Sequence, residues 1–354
     1  MKTLRLAVDA NHLDSAEARD AISRAAELLR AGGTVALPTE TVYGLGANAL
    51  DLKAVEKIFI AKQRPAWDPV IVHVSGEEML ATLVMEMPES ARALMKAFWP
   101  GPLTLLLPRS AAVPDIVTAG RPLVGVRMPA HPVAFELIRR AGVPVAAPSA
   151  NAFGHISPTT AAHVLEDLDG RIDAVLDAGP TPHGVESTVL DPGRKPMVVY
   201  RPGAVTLEQI RAIAGEVDVF QSDRPLSPAP DEALPSPGVG LRHYAPRARL
   251  VLVGGALEGL GELIWEAARQ IQDQRVGILL PEGVECPPLP KSVRIYRWGR
   301  WSAPEEMARE LYAGLRQLDA MQCSAIVCPM PPAKGIGAAI RDRLIKAARS
   351  DEEN

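Results

Sequence analysis

Pro144-Val145-Ala146-Ala147-Pro148-Ser149-Ala150-Asn151-Ala152-Phe153-Gly154-His155-Ile156-Ser157 changes character halfway along. Pro144 to Ala147 is apolar and has the length of a central strand. From Ser149 the residues become small and polar, and Gly154 keeps the backbone permissive. Ser157-Pro158 then offers a hydroxyl N-cap and a proline at the first helical position, so the stretch predicts a strand, a loop and a helix start. Main-chain N–H groups and hydroxyls in such a loop can approach a ligand closely, and a helix start favours an anion. An ordinary strand–loop–helix turn has the same residues, so the rest of the chain must decide.

Upstream, Leu4 to Val8 reads as a first strand, and Asp14 or Ser15 caps a helix with Ile22, Ala25, Ala26 and Leu29 at helical spacing, ended by Gly32-Gly33. Thr34 to Leu37 is a strand leading into PTETVYGLGANA (38–49), whose Thr39-Glu40-Thr41 and small turns predict a loop facing a cleft. Asp51 caps a second helix that delivers Lys62-Gln63-Arg64-Pro65. Pro69 to Val74, which bears His73, Leu103 to Leu107 and Val124 to Arg127 read as buried strands. A helix ends at Phe98, and another spans His131 to Arg140. Downstream come a helix from Pro158 to Leu168 and strands at Ala174–Asp177, Ser187–Leu190 and Met197–Tyr200. This irregular alternation predicts an α/β fold with a mixed twisted sheet and helices.

A chain of 354 residues exceeds one typical core, so two domains are expected. Residues 221–246 are rich in proline among Ser, Asp and Gly and read as an extended linker. It separates a first domain, 1–220, from a second, 247–354. In the latter, strands at Arg249–Val253, Val276–Leu280, Val293–Tyr296 and Ala325–Val327 alternate with helices at Leu257–Gln272, Pro304–Met321 and Lys334–Ala348. That order predicts a smaller parallel α/β domain of Rossmann type. Gly335-x-Gly337 opens its last helix too late for a dinucleotide fingerprint, and close helix–strand packing is the expected use.

Composition narrows the function classes. Lys plus Arg number 38 against 42 Asp plus Glu, a net charge of -4, so there is no global basic field for nucleic acid. Aromatic residues at 4% argue against a base-stacking platform. Cys286, Cys323 and Cys328 form no CxxC pair, which excludes a zinc knuckle or a disulfide framework and fits reduced thiols in the cytoplasm. No apolar run approaches a membrane span, and MKTLRLAVDANHLD lacks the apolar core of a signal peptide.

Lys62 and Arg64 can place an ammonium and a guanidinium on one oligophosphate, though cations at a helix end also complement its dipole. Arg127 lies in an apolar strand and needs a carboxylate or phosphate partner, either a structural ion pair or a ligand. Arg201 presents a further cation at a strand end, before Pro202-Gly203. His73 faces away from Val72 and Val74, as many core histidines do. Glu186-Ser187-Thr188 brings a carboxylate and two hydroxyls to a strand start. No serine sits in a GxSxG elbow, and metal-ligand spacings are absent. What remains is a cleft of cations, hydroxyls and small residues without a nucleophile. It suits anionic substrates that react with one another while the protein positions them and neutralises charge.

Taken together, PTETVYGLGANA, KQRP with VIVHV, FWPGPLTLLL, VGVRMP, PVAAPSANAFGHISPT, GVESTV, YRPG and SPG with RHYAP resemble the YrdC-like threonylcarbamoyl-AMP synthase family in its longer two-domain form. The resemblance implies synthesis of L-threonylcarbamoyl-adenylate from ATP, L-threonine and bicarbonate. Pyrophosphate is released, magnesium accompanies ATP, and a partner threonylcarbamoyl transferase complex then modifies tRNA beside the anticodon. It implies that Lys62, Arg64 and Arg201 offset phosphate charge, with Lys62 and Arg64 at the chemical step, and that Ser149, Asn151 and Ser157 bind nucleotide. Arg127 would hold the threonine carboxylate, with Thr41, His73, Ser187 and the backbone at Ala147 completing that pocket. Asp68 stands where the family commonly has Asn, and Leu123 where Thr is common; the ATP contact of Asp68 would need Lys62 or a metal to compensate its charge, and that of Leu123 would come from the main chain. The linker would fold back as a lid that brings His243 and Tyr244 to the nucleotide. A rival reading is an RNA-binding or ribosome-associated module, with Tyr296-Arg297-Trp298-Gly299-Arg300-Trp301 stacking on bases. Carbamoyl transfer in hydrogenase maturation would require zinc-finger cysteines that are lacking here.

Overall fold

The structure is a computed structural model that describes residues 2–221, 234, 236, 238–239, 243–271 and 275–349. One unit comprises Met1–Phe153, Ser157–Pro182 and Glu186–Gly240; a second comprises Gly154–Ile156, His183–Val185 and Leu241–Asn354. No single cut in the sequence separates them. Most of the expected linker, 221–246, lies outside the described residues.

The first unit begins β1 (Leu4–Ala7), α1 (Ala16–Arg30), β2 (Val35–Pro38), β3 (Tyr43–Asn48), α2 (Leu52–Lys62) and β4 (Ile71–His73). Then follow α3 (Glu77–Leu83), α4 (Glu89–Phe98), β5 (Leu103–Pro108), α5 (Asp115–Thr118), β6 (Leu123–Arg127), α6 (Pro132–Ala141) and β7 (Val145–Ala146). It ends with α7 (Ala161–Leu168), β8 (Ala174–Asp177), β9 (Thr188–Asp191), β10 (Met197–Arg201), α8 (Leu207–Ala214) and β11 (Val217–Val219). These strands join in one eleven-stranded mixed sheet, ordered β1-β8-β2-β3-β7-β4-β6-β5-β9-β10-β11. The opening stretch thus supplies a central strand, β7, antiparallel to both β3 and β4.

Two expectations fail here for physical reasons. Tyr43–Asn48 is a strand rather than a loop: a Cβ on Gly46 would lie 2.8 Å from both Leu37 Cδ2 and Val145 Cγ1. Its glycines let neighbouring strands' side chains close over the backbone, and so mark a crowded strand rather than a turn. Thr39–Val42 forms the bend, closed by Thr39 Oγ1 donating to the Val42 carbonyl at 2.6 Å. Nor does Ser157 cap a helix. α7 starts at Ala161, with Thr160 Oγ1 accepting from the His163 N–H. The Pro158 carbonyl instead accepts from Tyr43 N–H.

Alternation along the strands sorts the core into two layers. Val72, Val126, Leu105 and Leu190 point into the larger one, with Val55 and Ile58 of α2, Leu94 of α4 and Val164 of α7. On the opposite face, α1 and α6 cover Leu6, Val35, Leu37, Val145 and Leu176. Farther along that second face lies a small apolar floor of Ile71, Leu106 and Val189, joined by Tyr200, Phe220 and Val239.

The second unit contains β12 (Arg249–Val253), α9 (Leu260–Gln270), β13 (Val276–Glu282), β14 (Arg294–Arg300), α10 (Pro304–Ala320), β15 (Ala325–Pro329) and α11 (Gly337–Ala348). Its sheet is parallel throughout, in the order β12-β15-β13-β14. Gly337 serves packing, since a Cβ there would fall 2.1 Å from the Pro332 carbonyl oxygen. Trp298 is fully buried and donates its indole N–H to the Met307 carbonyl at 2.6 Å, so the Tyr296–Trp301 run offers no such platform for bases at its centre. The three cysteines are free thiols. Among the described residues no helix is long and apolar enough to cross a membrane.

Candidate active site

Sheet register gathers the predicted residues into a row. His73 pairs with Arg127 across β4 and β6, and Leu105 pairs with Val126, which sets Thr104 of β5 opposite Arg127. Thr104 pairs with Val189 of β9, and Val189 with Arg201 of β10. A Cβ on Gly125 would lie 3.4 to 3.6 Å from Thr104, Leu106 and Ile71, so these side chains share one face. Four strand spacings separate His73 from Arg201, roughly 19 Å, enough for two small ligands side by side.

At one end, Arg127 is almost fully buried. Nη1 donates to Thr41 Oγ1 at 3.0 Å, Nε donates to the Gly101 carbonyl at 3.1 Å, and Nη2 pairs with Glu40 Oε1 at 2.5 Å. Burial would raise the Glu40 pKa, but the charge and hydrogen bonding of Arg127 outweigh it and hold the carboxyl below its usual range. Beside this pair His73 has its pKa pushed down to about 3, first by burial and then by Arg127. It is a neutral imidazole whose Nδ1 has no hydrogen-bond partner. Ala147 gives its amide to the Ile71 carbonyl at 2.8 Å, so that N–H belongs to the sheet rather than to a ligand.

Lys62 and Arg64 occupy the end of α2, where Gln63 takes a left-handed φ of 54°. Lys62 is buried, and Nζ donates to the Ser149 carbonyl at 2.6 Å and to that of Asn151. Burial, then the charge of Arg64, pushes its pKa down against Asp68 and Asp167. The Lys62 carbonyl in turn accepts from Phe153 N–H at 2.9 Å, so helix end and loop are stitched in both directions. Ser149 is half-buried, and Asn151 is buried, donating Nδ2 to the Ala152 carbonyl. Arg64 Nη2 pairs with Asp68 Oδ2 at 2.9 Å and donates to the Pro69 carbonyl, while Nε takes the Asp68 carbonyl. Burial raises the Asp68 pKa against Arg64, Lys62 and Arg201. The cation paired with Asp68 is therefore chiefly Arg64, rather than the expected Lys62 or a metal.

Arg201 closes the row, with Nε donating to the Ser187 carbonyl and Nη2 to Ser187 Oγ, both at 3.1 Å. Ser187 Oγ also lies 2.8 Å from Thr104 Oγ1. Ser157 Oγ donates to Glu186 Oε1 at 2.6 Å, which ties the loop after β7 to the segment before β9. Gly203 makes this approach feasible, since a Cβ there would fall within 2.4 to 2.5 Å of the Glu186–Thr188 backbone. Leu123 is half-buried at the start of β6, paired with Pro108 and packed against the apolar floor.

His243 and Tyr244 belong to the second unit. Tyr244 is buried at a left-handed φ of 66°, stacked on Tyr312 at 5.9 Å, with the Arg343 guanidinium 5.1 Å from its ring centre. Sequence reasoning gave no role to Thr104 or Glu40. A hydroxyl inside Leu103–Leu107 requires a partner, which was the available signal for Thr104. Among the described residues no group of three or more His, Cys, Asp or Glu is placed to hold a metal.

Residues 27–203 match the Sua5/YciO/YrdC family model, described as "Telomere recombination", and residues 205–349 match "Threonylcarbamoyl-AMP synthase, C-terminal domain". A threonylcarbamoyl-AMP synthase of Bacillus subtilis is 46% identical, covering 98% of both chains, and one of Pyrococcus abyssi is 42% identical over 92% of this chain and 93% of its own. A crystal structure of P. abyssi Sua5 complexed with L-threonine superposes with a TM-score of 0.88 at 40% identity, covering 98% of each chain. The chain belongs to the threonylcarbamoyl-AMP synthase family, in its two-domain form.

Proposed function

We propose that the protein makes L-threonylcarbamoyl-adenylate from ATP, L-threonine and bicarbonate, acting as a nucleotidyltransferase in the cytoplasm. One observation carries the reading. Among the described residues, the buried lysines and arginines of the first unit are Lys62, Arg64, Arg127 and Arg201, all in the array just described. Burying four basic groups together is unfavourable unless anions share their surroundings. Asp68 and Glu40 meet part of that need, and a triphosphate with an amino-acid carboxylate meets the rest.

In this reading Arg127 takes the threonine carboxylate, with Thr41 and His73 alongside. The threonine amine adds to carbon dioxide with loss of a proton, or to bicarbonate with loss of water, and a carbamate oxygen then attacks the α-phosphorus of ATP. The bond to the β-phosphate oxygen breaks, and pyrophosphate leaves. Lys62, Arg64 and Arg201 neutralise charge that grows on the phosphates, which they do best when already fixed in a dry site. Ser149, Asn151 and Ser157 orient the nucleotide, and magnesium enters with ATP as part of the substrate. The segment bearing His243 and Tyr244 serves as a lid that keeps water from the adenylate. A transferase complex consumes the product at tRNA. The test is mass detection of the adenylate in a mixture of pure protein, Mg·ATP, threonine and bicarbonate without RNA. Pyrophosphate release should require both threonine and bicarbonate; release without threonine overturns the reading.

A further inference from the structure

Helix α10 carries a stripe that no substrate role accounts for. Arg309, Tyr312 and Arg316 stand three and four residues apart, so they share one helical face about 10 Å long. Each meets a different segment of the second unit. Gly184, at φ 73°, lies so close that a Cβ would be 2.4 Å from Arg309 Cα and 2.5 Å from the Ala308 carbonyl oxygen. Tyr312 stacks on Tyr244. Arg316 Nη2 donates to the Ile156 carbonyl at 2.5 Å. Ala245 N–H donates to the Gly154 carbonyl at 2.9 Å, and His155 bridges to Ala245, so the segment after Tyr244 runs beside the one that Arg316 holds.

These segments adjoin the site residues in sequence. Gly154–Ile156 lies between Asn151 and Ser157, and His183–Val185 directly precedes Glu186 and Ser187. The Ser157–Glu186 hydrogen bond joins their ends. We propose that this face of α10 positions the two site loops, which makes Arg316 and Gly184 positioning residues for adenylate formation. The inference rests on the function proposed above.

Steady-state kinetics of the full-length protein test it. Arg316→Met should raise the KM for ATP about tenfold, the loss expected for one charge-assisted hydrogen bond, and leave the KM for threonine within about twofold. Arg316→Lys should recover most of that loss. Gly184→Ala should raise both KM values, because Ser187 touches both halves of the row through Thr104 and Arg201. Gly120→Ala is the control: it has the same sign of φ, at 74°, with nothing within 4 Å of a built Cβ, and should change neither KM. Wild-type KM values in Arg316→Met and Gly184→Ala, with adenylate still formed by the parent, overturn the inference and leave the function standing. Equal losses for both substrates in Arg316→Met, unrelieved by Arg316→Lys, overturn it too, because general loosening of the fold gives that result.

Discussion

Arg127 and Glu40 form a buried pair in which each neutralises the other, and removing one member leaves an uncompensated charge. Arg127→Ala should raise the KM for threonine by about a hundredfold, the range expected for a lost charge-assisted carboxylate contact, while ATP binding stays within about twofold. Calorimetric titration with ATP separates the two, and an equal loss of both would assign Arg127 to the framework alone. His73 gives a pH prediction. Its folded pKa is depressed to about 3 from an ordinary 6.5, so the unfolded chain takes up a proton in this window that the folded chain refuses. The stability it contributes is complete above 6.5 and is lost as pH falls toward 3. In denaturant titrations, the stability difference between the parent and His73→Asn should shrink across that window. Lys62, Arg64, Arg127 and Arg201 were legible in the sequence because a cation beside apolar residues or at a helix end asks for an anion. The partners of Thr104 and Glu40 were not, since they lie more than 80 positions away and only the folded chain brings them together.

At the scale of elements, length and periodicity located most strands and helices, and Ala174–Asp177 and Arg249–Val253 match the expected limits. In PTETVYGLGANA, with two glycines two residues apart, a strand has the sequence character of a turn. Gly46 shows why: its need arises from Leu37 and Val145, side chains that belong to other strands. Gly46→Val should destabilise the fold by about 1–3 kcal/mol through overpacking, read as a lowered melting temperature. The misplaced start of α7 has a similar origin. Ser157 is a competent cap by residue type, but its hydroxyl is engaged by Glu186, and Thr160 caps three residues later.

For the molecule as a whole, a net charge of -4 leaves no broad positive field, and the first unit's buried basic groups are turned inward. Added bulk tRNA should therefore leave the initial rate of pyrophosphate release unchanged, followed in a coupled phosphate assay; strong stimulation would instead mean that RNA takes part in the first reaction. Two-domain organisation was visible in the proline-rich composition, whereas the regrouping of residues 154–156 and 183–185 with the C-terminal segment was not, because it depends on contacts with Ala245, Arg309 and Arg316. That regrouping bears on how the protein is born. A ribosome delivers residue 156 well before residue 316, and at usual elongation rates the interval is on the order of ten seconds. Throughout it Lys62 and Glu186 can already hold the two ends of the loop after β7, but the Ile156 carbonyl between them lacks Arg316, so a helix that emerges late finishes a part of the structure translated near the middle.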